Sequence, residues 1–142
     1  MMLNPCLAAI ALALVPGFAL AEVHEVGMYN RSENGPMIYE PSFLAIAPGD
    51  SVRFIPTQPS HNAATIEDML PEGATPFRSG INEDFTVTFT LPGAYGIRCS
   101  PHYAMGMVML IHVGEVGETA LPESLPARAR ERFEAILADI AP

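Results

Sequence analysis

Cys99, His102 and Met107 fall at Cys-x2-His-x4-Met, and His61 lies 38 residues before the cysteine. A thiolate, two imidazoles and a thioether are soft or borderline donors, the set that selects copper over calcium or magnesium. Two histidines and a cysteine in one plane, with a distant axial methionine, make an electron-transfer copper site. Three of these donors share the compact 99–107 segment, so His61 must come from a neighbouring loop at the same end of the fold. The competing reading takes Cys99 as a small buried hydrophobe, His102 as a loop residue and Met107 as core. Zinc suits the set less well, because structural zinc sites are built from cysteine, histidine and carboxylates.

Such loops need a rigid support, and the flanking sequence supplies one. Asp84 to Thr90 alternates strictly, with Phe85, Val87 and Phe89 on one face and threonines on the other, the pattern of a half-buried strand. Ser51-Val52-Arg53-Phe54 repeats it after the turn signal Pro48-Gly49-Asp50. Leu91-Pro92-Gly93 marks another turn before the short Ala94–Arg98 segment, and Met107–Val113 is a longer apolar run. Short strands at this spacing, punctuated by 14 prolines and 11 glycines, predict an all-β chain folded as an antiparallel sandwich or barrel. Ser60–Asn82 reads as a loop with one helical turn. After Gly117 the period changes: Phe133, Ile136, Leu137 and Ile140 form one helical stripe, expected to pack on the sandwich. Ser124 is the expected N-cap, with Pro126 in the first turn.

Residues 2–21 carry no charged side chain, and Ala19-Leu20-Ala21 is the small-x-small pattern cut by a signal peptidase. The apolar run is short for a membrane span, so no stable insertion is expected after cleavage. The expected organisation is therefore a signal at 1–21, a β-domain at 22–117 and a helical extension at 118–142. All 16 carboxylates and all seven basic residues, every one an arginine, lie in the exported part, which carries the formal charge of -9. Nucleic acid demands a basic face and is excluded as a partner. Cys6 leaves with the signal, so Cys99 is a lone thiol in an oxidising compartment, where a metal would protect it. His24 and His112 are read as non-ligands, with His112 turned to solvent.

The segment Tyr95-Gly96-Ile97-Arg98-Cys99-Ser100-Pro101-His102-Tyr103-Ala104-Met105-Gly106-Met107 resembles the ligand loop of the pseudoazurins, bacterial periplasmic blue copper proteins. The likeness extends through Glu40-Pro41-Ser42, Ala47-Pro48-Gly49-Asp50, Phe54-Ile55-Pro56-Thr57, His61-Asn62 and Ile81-Asn82-Glu83, and it includes the helical tail. Plastocyanins share the Cys-x2-His-x4-Met spacing but usually lack such a tail. The resemblance implies a Greek-key, cupredoxin-like sandwich binding one copper ion through His61, Cys99, His102 and Met107. It implies that the Asn62 backbone N–H bonds the cysteine sulfur while its side chain ties the two ligand loops, with Asn30 near that network. Met37, Pro56 and Pro101 match the apolar rim around an exposed His102, and Met105 would lie on the surface beside it. Arg31, Arg78 and Arg98 stand where the family often has lysine.

The function implied is that of a monomeric, diffusible one-electron carrier in the periplasm, not an enzyme. Copper nitrite reductase or another periplasmic oxidoreductase would be its acceptor and a cytochrome its donor. The alternative class is a periplasmic copper-binding or delivery protein with a more open site. A copper oxidase would need an open coordination position, which Met107 fills.

Overall fold

The computed structural model describes residues 19–142; the expected signal at 1–21 lies almost wholly outside them. Eight strands form two four-stranded sheets: β1 (Val23–Ser32), β2 (Gly35–Glu40), β3 (Phe43–Ile46), β4 (Ser51–Ile55), β5 (Ala64–Thr65), β6 (Phe85–Thr88), β7 (Gly93–Arg98) and β8 (Val108–Val113). One sheet runs β2-β1-β4-β6 and the other β3-β8-β7-β5. The expected sandwich is present, but its sheets are mixed: β1 pairs with β4, and β3 with β8, in parallel. The cause is the path of the chain. It leaves the first sheet after β2, crosses to lay down β3, and returns as β4 running in the direction of β1.

Alternation along the strands fills the space between the sheets. Val26, Met28, Val52, Phe54, Ile97, Met109 and Ile111 are fully buried there. The opposite face of β8, carrying Val108 and Leu110, would be exposed in a bare sandwich. The α-helix found among the described residues, α1 (Ala127–Ile140), covers it with Ala129, Phe133 and Ile136, while Leu137 and Ile140 pack at the margin. Fully burying a side chain such as Phe133 contributes roughly 1.5–3 kcal/mol relative to exposure.

Three local expectations need correction. Ser124 does not cap α1: its hydroxyl donates to the Asp68 carboxylate at 2.9 Å, and Pro126 occupies the N-cap position. His112 is less open to solvent than expected, because the tail lies over part of its side of β8. Its ring is half-buried, edge-on to Phe43, with Nε2 3.0 Å from the Thr119 hydroxyl. Between Ser60 and Asn82 the chain makes turns and the short β5, with no helical turn.

Candidate metal centre

Strand β4 leads into a loop carrying His61, and β7 leads into the loop that begins at Cys99, so both loops emerge at one end of the sandwich. The second loop is closed by its own backbone. Cys99 N–H donates to the Met107 carbonyl at 3.0 Å, His102 N–H to the Cys99 carbonyl at 3.2 Å, and Met107 N–H to the His102 carbonyl at 3.1 Å. A 3₁₀ turn, Tyr103–Met105, fills the middle. It ends at Gly106 with φ 88, where a Cβ would sit 2.9 Å from the Arg128 carbonyl oxygen of α1. Only glycine allows both that backbone angle and the close approach of the helix.

Three donors converge. The Nδ1 atoms of His61 and His102 are 3.1 Å apart, and Cys99 Sγ lies 3.6 Å from the first and 3.5 Å from the second. Nitrogen and sulfur ligands at ~2.0–2.3 Å from one small divalent ion stand about 3.3–3.8 Å apart. The observed spacing therefore fits a shared ion after a shift of a few tenths of an ångström. Met107 is fully buried behind the same loop. His61 is fully buried as well, and its Nε2 has no hydrogen-bond partner. An ion on Nδ1 would fix the Nε2–H tautomer.

The electrostatics suit a cation. Burial pushes the Cys99 thiol up, opposed by the backbone N–H groups of Asn62 and His102, which face the sulfur and favour thiolate. Burial and the neighbouring His102 drive His61 down to about 4, so its imidazole is a neutral ligand at ordinary pH.

Asn62 braces the two loops. Its Oδ1 accepts the Ser100 N–H at 2.7 Å, and its Nδ2 donates to the Ser79 carbonyl at 3.2 Å and the Ser100 hydroxyl at 3.1 Å. Its own carbonyl accepts the buried Tyr39 hydroxyl at 2.6 Å. The Asn30 N–H donates to Gln58 Oε1 at 2.6 Å, which ties β1 to the loop that carries His61.

At the surface His102 is half-exposed, with Pro101 and Met105 exposed near it. Of the three arginines singled out, Arg31 and Arg78 are exposed, whereas Arg98 is half-buried with its guanidinium 5.1 Å from the centre of the Tyr103 ring. The sequence reading missed Arg132. From α1 it donates to the carbonyls of Met37 at 2.6 Å and Pro36 at 3.2 Å, holding the rim residue Met37 at a positive φ of 46. Nothing in the local sequence signals a contact made across 95 residues.

The sequence profile of the copper-binding proteins of the plastocyanin/azurin family matches residues 26–114. The pseudoazurin of Paracoccus pantotrophus is 47% identical over 146 aligned positions, covering 98% of this chain and 99% of that protein. A putative pseudoazurin of Rhizobium leguminosarum bv. viciae is 44% identical, covering 95% and 91%. Among solved structures, pseudoazurin from Methylobacterium extorquens AM1 superposes with a TM-score of 0.79 at 34% identity, covering 84% of this chain and 99% of that one.

Proposed function

Because this chain belongs to the plastocyanin/azurin family of copper-binding proteins, we propose that His61, Cys99, His102 and Met107 are the four ligands of its one copper ion. The protein is a blue copper electron carrier and not an enzyme. Copper supplies the one-electron change between Cu(II) and Cu(I). The polypeptide supplies a nearly preformed set of donors, excludes water from three of them, and brings the fourth to the surface. The observation that carries the ligand assignment is the convergence of His61 Nδ1, Cys99 Sγ and His102 Nδ1 at 3.1–3.6 Å. Met107 is assigned as axial ligand from the Cys-x2-His-x4-Met spacing and its complete burial.

We further assign residues 1–21 to an export signal, 22–117 to the copper domain and 118–142 to the helical extension, with the mature protein acting as a monomer in the periplasm. No helix among the described residues is long and apolar enough to cross a membrane. The half-exposed His102 edge, with Pro101 and Met105 beside it, supports an electron port for redox partners of the kind expected from resemblance. These are a cytochrome as donor and a copper nitrite reductase or similar oxidoreductase as acceptor.

Adding Cu(II) to the purified protein tests the reading. One equivalent should produce an intense blue or green colour that a mild reductant bleaches and an oxidant restores. A delivery protein would instead hold copper without that colour and exchange it readily. Cys99→Ser should abolish the colour while leaving the far-ultraviolet signature of the strands, because the thiolate is the coloured ligand. A serine variant that stays intensely coloured would overturn the assignment.

A further inference from the structure

A second group of metal-binding donors lies at the opposite end of the sandwich. β1 and β4 run in parallel with His24 level with Val52, so the start of β1 meets the turn that precedes β4. His24 Nε2 lies 2.9 Å from Asp50 Oδ2 and 3.9 Å from Glu22 Oε2, and one donor atom from each of the three residues falls within 4.8 Å of the others. From here β4 leads away toward the His61 loop, so this cluster and the copper ligands lie beyond opposite ends of that strand, which spans about 13 Å from first to last Cα at ~3.3 Å per residue.

We propose that Glu22, His24 and Asp50 form a second metal site, taking a divalent transition ion of the zinc(II) type through one imidazole and two carboxylates. The donor chemistry fits: imidazole and carboxylate oxygens bind zinc at about 2.0–2.2 Å, which places tetrahedral donors roughly 3.3–3.6 Å apart. The existing separations bracket that range. Asp50 is the fixed floor of the site, its side chain only 8% exposed. Its Oδ1 accepts the Glu22 N–H at 2.9 Å and its Oδ2 the Ala47 N–H at 3.1 Å. Those bonds, led by the one from Glu22 and followed by that from His24, hold its carboxyl below the usual range and keep it ionised. Glu22 is 74% exposed and free to swing inward, so the site has a fixed side and an open one.

The expected signal cleavage bears on the site as well. Cleavage after Ala21 would turn the Glu22 N–H beside Asp50 into an α-ammonium group, and a metal ion that displaces one of its protons into solution would gain the amine as a fourth donor. The bound ion would then tie the first strand to the β3–β4 turn and offset two of the carboxylates in a chain of formal charge -9.

Copper-loaded protein, with its N-terminus established by intact mass, can be dialysed against zinc(II) and its bound zinc counted by elemental analysis. One zinc per chain is expected, with the copper absorbance unchanged; that absorbance reports the first site separately. His24→Gln should weaken zinc binding at least tenfold, and Glu22→Gln should weaken it less. Absence of stoichiometric zinc, or equal binding by His24→Gln, would overturn the proposal. So would zinc binding that is unchanged in Asp50→Asn, since the carboxylate that forms the fixed side of the site would then take no part.

Discussion

Metal-free protein should lose stability steeply as the solution is acidified, and His61 sets both the window and the sign. Its side chain is fully buried, and burial, reinforced by the nearby His102, lowers it from 6.5 to about 4. Unfolding returns the imidazole to water, where it titrates at its ordinary value. Between those limits the unfolded chain binds more protons than the folded one, so stability rises with pH across the window. Below about 4 both states are protonated and this contribution is gone. The gap between 6.5 and 4, at about 1.36 kcal/mol per pH unit, sets an upper limit of about 3.4 kcal/mol. With a urea dependence of about 1.5 kcal/mol/M, that is a midpoint shift of roughly 2 M. Urea unfolding of metal-free native and His61→Gln protein at pH 7, 5.5 and 4 isolates the effect. Carboxylates and the half-buried His112, which burial also lowers, are common to both and cancel in the difference. Native protein should lose up to about 3 kcal/mol more than the variant on going from pH 7 to 4. Curves that fall in parallel, within ~0.5 kcal/mol, would refute the reasoning about His61 burial.

One further outcome concerns the copper-loaded protein. Met107→Gln should keep copper and colour but lower the reduction potential, since a harder axial oxygen favours Cu(II). A ten- to hundredfold change in relative affinity corresponds to about 60–120 mV, and an unchanged potential in protein-film voltammetry would argue against Met107 as axial ligand.

The donor set was legible because its chemistry is compressed into the sequence. Cys99 and His102 lie three residues apart on one loop, and their types leave few alternatives. His61 could be placed at the same end because it follows a strand of clear alternation, as β4 proves to be. The tail was legible through its helical stripe, of which Phe133 and Ile136 are buried. What period and spacing do not encode is which surfaces other segments cover. His112 sits on the alternate face of β8, yet the tail lies over part of that face and leaves the ring only half in water. Arg132 reaches the carbonyls of Pro36 and Met37 from the far end of the chain, and Ser124 finds Asp68 in place of its own helix. His24 carried no signal of Asp50, because parallel pairing of β1 with β4 is a property of the chain's crossing path. Local pattern fixes which face of an element is apolar, while partners depend on topology.

That dependence gives the helical extension a part in the site as well as in the core. α1 buries the outer face of β8, which hydrophobic patterning alone would demand. It also touches two further segments: Gly106, packed on the Arg128 carbonyl, and Met37, held through Arg132. One segment closes the loop bearing Cys99, His102 and Met107; the other carries Met37, the residue that the resemblance matches to an apolar rim. Asn62 and Tyr39 brace the same loops from inside the sandwich. An electron carrier gains from this arrangement because a ligand loop fixed on both sides moves little when the metal changes charge, and less movement means a smaller barrier to transfer. The helix thus constrains from outside the same loop that Asn62 constrains from within, and His102 is left as the one ligand at the surface.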